Sequence, residues 1–481
     1  MSWRDFHEAT KHTAESLRRS AHSLDWAHMP DPFRHYEGAP VLDLPADPPA
    51  PDRAANPPPD GAAFLSQLLY YSAAISAAKR VPSTGYKYAL RVNPSSGNLH
   101  PTEFHFITNG LKDWPDGLYH YRASAHMAEQ RARGNFAAQL GQPDTPLLFL
   151  LTSAAWREEW KYRDRAYRYC LHDLGHAWQS LALAAGSMGC ETLASGQFVD
   201  EQIARVCRLP SDEWPMLLVQ LRGPSMPLVA PDAGPTIWSP GEANQLSSQV
   251  VEYPLVEQMH ALTSVCLGGG APPAGPLPAG SGQIKLPPPA QSTRGFGEVA
   301  RRRRSALDFQ GGTHSMSLPQ LSAILDAAYQ PLQADFASAR FIQLYLYVHR
   351  VDGLPPGVYR HWPERCELEP CKLGDQRVAA AGLSLGQDLA GNACVAFSMA
   401  ADLERATRAF GDRGYRYAYF EAGAIGQRLY LAAEAQGLQA TGIGAFFDDQ
   451  VHRYLELAPE QGQVIYHFAI GHAVPDPRLE V

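Results

Sequence analysis

The sequence predicts a domain of mixed helices and strands built twice in tandem, and three observations carry that prediction. The order of predicted elements in the first half recurs in the second. The segment from Tyr162 to Gln202 aligns without gaps on Phe410 to Gln450, with 16 of 41 positions identical. Shorter echoes stand in order around it: GLYHY from Gly117 answers GVYRH from Gly357, and LSQLL from Leu65 answers LSAIL from Leu321. A period of about 240 residues is domain-sized, which marks a duplication and not a solenoid.

Taken in order, residues 1–60 read as an N-terminal extension. A charged segment, Glu15 to Arg19, leads to an irregular aromatic stretch, and VLDLPADPPAPDRAANPPPDG is too proline-rich for regular structure and reads as an extended strap. Domain one is expected over 61–225. Phe64 to Ala78 has apolar residues at helical spacing and predicts one helix. The loop RVNPSSGNLHP follows, then a strand to about Thr108, a DWPDG turn into LYHY, and the buried strand TPLLFLLTSA at 145–154. A long helix is predicted over Tyr167–Gly186 and a strand over Met216–Leu221. Residues 226–295 read as a Pro/Gly-rich linker with one short helix, Val251 to Cys266. Domain two is expected over 296–481: RRRRSALDF, the helix LPQLSAILDAAY, strands at FIQLYLYVHR, VYRHW and ACVAFSMA, a helix over Tyr415–Gln436, and the strand VIYHFAIG.

Composition narrows the function. A net charge of −8 gives no electrostatic reason to expect nucleic acid or an anionic membrane as partner. The N-terminus lacks the apolar core of a secretory signal, and no apolar run is long enough to span a bilayer, so a cytoplasmic protein is expected. Seven scattered cysteines form no disulfide framework, Cys366 and Cys371 lack a second pair, and His172 and His176 lie outside any HExxH pattern. No metal site is expected. Within Pro94, Ser95, Ser96, Gly97 and Asn98, small hydroxyls and open backbone N–H groups allow a flat polar ligand to lie against the main chain.

Taken together, RRS before a helix, the PSSGN loop before a strand, GLYHY, KYRDRAYRY and GIGAFFDD resemble the nitroreductase superfamily, and within it the tandem-domain SagB-type (azoline or peptide) dehydrogenases. The similarity covers residues 60 to 475. It implies an α+β fold, with a mostly antiparallel sheet flanked by helices, whose two copies form an intrachain pseudo-dimer. It also implies FMN as cofactor, held between copies by an RRS-type phosphate grip from one and a PSSxN-type loop from the other. Here Arg303, Arg304 and Ser305 survive only in the second half, and Pro94–Asn98 only in the first, so one site is complete and one is empty. Arginine forks and a serine hydroxyl suit a phosphate dianion. The family's further basic residue is replaced by Leu307, with Arg301 and Arg302 as candidates to compensate. Asn98 can donate and accept at the flavin edge, and Gly442, Ile443 and Gly444 admit a second backbone to the ring.

By the same resemblance, Lys161 and Tyr162 are the candidate catalytic pair, assisting proton removal, with Arg163 and Arg165 as cations that favour a neutral lysine. The second half has Ala409 and Phe410 there. The expected function is FMN-dependent hydride transfer with a small-molecule or peptide-derived substrate. The alternatives are an NAD(P)H-dependent nitro or quinone reductase, or a degenerate flavin-fold binding or maturation partner without catalysis. A monomer is expected, since the duplication supplies its own interface.

Overall fold

The computed structural model describes residues 1–19, 23–53, 56–232, 234–265, 282–337 and 340–480. Most of the glycine- and proline-rich linker run, with Cys266, lies outside the described residues.

In the first half α1 (Trp3–Ala9) leads through β1 (Val41–Asp43) to α2 (Gly61–Tyr70). A hairpin of β2 (Ile75–Arg80) and β3 (Lys87–Arg91) follows, then β4 (Thr102–Thr108), β5 (Gly117–Arg122), β6 (Met127–Arg133) and β7 (Leu147–Ser153). Helices α3 (Trp156–Tyr162) and α4 (Ala166–Ser187) precede β8 (Glu191–Ser195), α5 (Asp200–Cys207) and β9 (Trp214–Arg222). The second half begins with α6 (Pro254–Ser264), β10 (Ile284–Lys285), α7 (Phe296–Arg302) and α8 (Leu318–Tyr329). It continues with β11 (Ile342–Val348), β12 (Gly357–Trp362), β13 (Glu367–Leu373), β14 (Val395–Ala401), α9 (Leu403–Phe410) and α10 (Gly414–Ala435). It closes with β15 (Gln439–Ile443), α11 (Asp448–Leu455), β16 (Gln463–Gly471) and β17 (Leu479–Glu480).

The α+β duplication is present. Strand order is β6-β5-β4-β7-β9-β8 in one sheet and β13-β12-β11-β14-β16-β15 in the other, with every pairing antiparallel. Strands β4, β7, β11 and β14 are buried along their whole length; β7 and β14 are accordingly almost wholly apolar, while β4 buries Glu103 and His105 beside its phenylalanines. The repeat also reaches further than its legible identities. β1 adds to β6 as β10 adds to β13, and Ser66 Oγ donates to the Pro45 carbonyl as Ser322 Oγ donates to that of Pro287.

Two expectations fail: Val41–Asp43, read as part of an irregular proline-rich strap, is a strand paired with β6, and a helix ends early. The helix read over Phe64–Ala78 stops at Tyr70, and Ile75–Arg80 is a strand between β3 and β17. Alanine is a strong helix former, but propensity is worth only tenths of a kcal/mol per residue, about 0–0.7, and ladder hydrogen bonds to two neighbours outweigh it.

The halves meet along α4 and α10, both buried around almost their whole circumference. They touch backbone to backbone at two equivalent glycines. A β-carbon on Gly175 would lie 2.3 Å from the Phe420 carbonyl oxygen, and one on Gly423 would lie 2.2 Å from that of His172. Two matching ion clusters flank this crossing. Arg165 and Arg168 reach Asp448 at 3.1 and 2.9 Å, and Arg413 and Arg416 reach Asp200 at 2.7 Å each. Burial alone would raise the Asp448 carboxyl, but the two guanidinium groups outweigh it and hold it well below the usual carboxylate range. Each cluster is completed by a threonine: Arg168 Nε donates to Thr10 and Arg416 Nε to Thr263, both at 2.9 Å. Helices α1 and α6 therefore play the same part in the two halves. Among the described residues no helix is long and apolar enough to cross a membrane.

Candidate functional site

All thirteen residues singled out in the sequence line one cavity of about 670 Å³ between the halves. The first half contributes Pro94–Asn98, Lys161 and Tyr162. The second contributes Arg303, Arg304, Ser305 and Gly442–Gly444.

The arginines follow the C-terminus of α7, where the chain leaves the helix at Arg303. Arg303 reaches across the interface, its Nε and Nη2 donating to the carbonyls of Val92 and Arg91 at 2.8 and 3.0 Å. Arg304 Nη2 donates to the Ser76 carbonyl at 2.8 Å. Arg303 Nη1 and Arg304 Nε are buried and have no partner among the described residues. A buried charged donor without an acceptor is costly, so two such N–H groups on one cavity wall match an anion with several oxygens, such as a phosphate. Ser305 Oγ contacts Tyr430 Oη at 2.8 Å, and Tyr430 Oη accepts from the Gly442 N–H at 2.9 Å.

The substitution at Leu307 leaves a half-exposed apolar side chain on the cavity wall. Arg301 stacks on the Tyr70 ring at 3.9 Å and Arg302 pairs with Glu298, so neither lines the cavity. Additional basic side chains there are Arg91 and, both paired with Asp476, Lys79 and Arg478.

The serine loop is tightly wound. Gly97, Asn98 and His100 have φ of +58°, +61° and +51°. Both ends of the Asn98 amide are engaged locally: Nδ2 donates to the Ala89 carbonyl at 2.9 Å, and Oδ1 lies 3.2 Å from His100 Nε2. Asn98 therefore presents main chain to the cavity.

Lys161 and Tyr162 close α3 beside this loop. A β-carbon on Gly97 would stand 2.8 Å from Tyr162 Oη and 2.9 Å from Lys161 Nζ, so only glycine lets the loop pass so near the pair. Burial, reinforced by Glu158, raises the Tyr162 phenol well above its ordinary value, so it stays protonated. Arg163, next in the chain, has φ 52° and ψ −133°, a conformation that strains any residue with a β-carbon. Its repeat equivalent is Gly411 at φ 62°. Arg165 is turned away to Asp448 and lies outside the cavity.

Gly442 and Gly444 make room for tyrosines. A β-carbon would meet Tyr466 Oη at 2.0 Å on the first and Tyr169 Cε1 at 2.1 Å on the second. Tyr430, Tyr466, Tyr169 and Asp173 line the cavity too, and sequence reasoning missed them. The available signal was Asp173, which aligns with Glu421 and so keeps an acid in both copies. His172 stacks on Tyr466 at 4.2 Å, and His176 Nε2 lies 3.1 Å from Tyr466 Oη.

The equivalent crevice on the other side is closed. Residues 333–335 run along β8, where the Ala194 N–H donates to the Gln333 carbonyl and Asp335 N–H to that of Ala194, each at 2.9 Å. Phe336 stacks on Tyr417 at 4.3 Å and an interplanar angle of 6°. A groove of about 800 Å³ remains beside it, larger than the cavity but without the arginine–serine set.

The family model that matches is that of the Nitroreductase family, over residues 72–223 and 300–472. MJ1384 of Methanocaldococcus jannaschii, which carries a nitroreductase name, is 32% identical over 169 residues, 33% of this chain and 83% of that protein. The microcin B17-processing protein McbC of Escherichia coli is 26% identical over 148 residues, 28% of this chain, and the chain spans only about half of its length (54%). A crystal structure from Anabaena variabilis, also titled a nitroreductase, superposes with a TM-score of 0.80 at 26% identity, covering 98% of this chain and 99% of that one.

Proposed function

Because the chain belongs to the nitroreductase family, we propose that it is an FMN-dependent oxidoreductase, moving hydride between the flavin and a small organic or peptide-derived substrate in the manner of the SagB-type dehydrogenases. One observation carries this reading. Groups that survive in only one half each converge on a single cavity, and two buried arginine N–H groups there await an acceptor.

In this reading Arg303 Nη1, Arg304 Nε and Ser305 Oγ hold the phosphate. The main chain of Pro94–Asn98 and of Gly442–Gly444 holds the ring. Bound there, FMN supplies hydride-transfer chemistry that no side chain offers. The cavity volume suits a ligand of that size. Lys161 Nζ takes or holds the substrate proton, and Tyr162 Oη, kept protonated, orients it. The likeness to McbC supports a peptide-derived substrate. The likeness to MJ1384 supports a second reading, nitro or quinone reduction with NAD(P)H as donor.

The purified protein is expected to be a monomer and yellow, absorbing near about 450 nm, with about one FMN per chain. Two per chain would place flavin in the closed crevice as well. A colourless protein that takes up no added FMN would leave only the non-catalytic reading. Turnover with nicotinamides, nitroaromatics and thiazoline peptides separates the substrate classes.

A further inference from the structure

A buried carboxyl pair stands directly behind the serine loop, and the roles assigned above leave it unused. We infer that Asp173 is the positioning residue of the cavity, setting the Pro94–Asn98 loop in place from the centre of α4.

The contacts are specific. The Asp173 carboxylate accepts from Ser95 Oγ at 2.6 Å, from the Ser96 N–H at 2.9 and 3.0 Å, and from Ser96 Oγ at 2.9 Å. Ser95 Oγ in turn accepts from the His100 N–H at 2.7 Å, which carries the grip to the far side of the loop. Three left-handed residues within four positions are a conformation that persists only when its surroundings impose it. Asp173 is what imposes it.

The second half supports this independently. Glu421, at the equivalent position of α10, accepts from the N–H groups of Phe341 and Ile342 at 2.9 and 3.2 Å. In each copy an acid on the central helix grips the chain as it enters the first sheet strand. In the first half that grip has moved onto the serines.

Glu158, on α3, is fully buried, and neither of its carboxyl oxygens has a hydrogen-bond partner among the described residues. Burial pushes Asp173 up to about 7 against the pull of its serine donors, and burial with the Asp173 charge pushes Glu158 well above the usual range. Glu158 is therefore held neutral beside the Asp173 carboxylate. Arg157, Lys161 and Tyr162 face the pair from α3, Cys170 from α4 and Tyr466 from β16.

That the loop holds a flavin rests on the function proposed above; its placement by Asp173 does not, so the test has two arms. In the first, hydrogen–deuterium exchange of the 94–100 amides is followed in the full chain without added cofactor. Asp173→Asn is isosteric but accepts on only one oxygen, and it is expected to speed that exchange about tenfold or more while α4 stays protected. Asp173→Glu, which borrows the acid of the second half, restores protection, and Glu158→Gln, which keeps the side chain's shape without a charge, matches wild type. Wild-type exchange in Asp173→Asn would overturn the inference. Equal loss of protection along α4 would also overturn it, showing general support of the helix instead. In the second arm FMN is titrated: Asp173→Asn binds about tenfold more weakly, and Glu158→Gln binds as wild type. If wild type itself takes up no FMN, the proposed function fails and the exchange arm still decides the role of Asp173.

Discussion

The two crevices of this pseudo-dimer began as copies and now differ in what fills them. On one side Tyr162, Tyr169 and Gly444 stand around a cavity. On the other, the equivalents Tyr417 and Gly196 are packed against Phe336, and the equivalent Phe410 packs on Tyr417. The shared parts are those the interface needs. Gly196 meets Tyr417 as Gly444 meets Tyr169, since a β-carbon in either place would lie within 2.5 Å of the ring. The parts that differ are those a ligand needs: arginines, serines, Lys161 and an open floor. The closed side instead buries a phenylalanine, which stabilises the interface there.

The largest expected effect tests what the two sides share. Asp448→Ala leaves two buried arginines without their carboxylate and should lower unfolding free energy by about 3–5 kcal/mol in denaturant titrations. Asp200→Ala should match it, because the clusters are equivalent. A much smaller loss there would show that the closed side has ceased to support the interface.

Opening the closed side comes next. Phe336→Ala should cost about 3 kcal/mol. The flavin-to-protein ratio should remain at one, since that side lacks the Arg303–Ser305 set and Arg428 beside it already donates to the Gln330 and Pro331 carbonyls. A ratio of two would break the proposed asymmetry.

Within the open side, two substitutions separate binding from chemistry. Lys161→Ala should retain flavin and slow turnover about a hundredfold. Arg304→Ala should release it, weakening FMN by about 2 kcal/mol in a fluorescence titration.

The smallest effect concerns His172, where the second half has Phe420. Both ring nitrogens are buried without partners among the described residues, and burial, then His176 and the nearby arginines, depresses its pKa well below the ordinary value. Its folded value lies below its unfolded one, so its contribution is intact above about pH 6.5 and is lost as pH falls. His172→Phe should stabilise by about 1 kcal/mol and flatten the loss of stability below pH 6.5 by up to one proton.

The legibility of this protein in its sequence was uneven for physical reasons. The identities over 162–202 and 410–450 were visible because both helices of the crossing are buried almost all round and tolerate little change. The β2–β3 hairpin was hidden because ISAAKR carries helix-friendly alanines, and only pairing with distant residues makes it a strand. Tyr430 and Tyr466 gave no local signal at all. They belong to the cavity through contacts with glycine backbone and with His176, the latter some 290 residues away from Tyr466.

The sequence alone determined the duplication, the order of its elements and the complementary survival of Arg303–Ser305 and Pro94–Asn98. Those features are local, and each copy carries its own record of them. Only the tertiary structure decided that these remnants share one cavity, that Phe336 fills its counterpart and that Asp173 holds the serine loop. Each of those facts is a distance between residues far apart in the chain, set by how two sheets and two long helices pack.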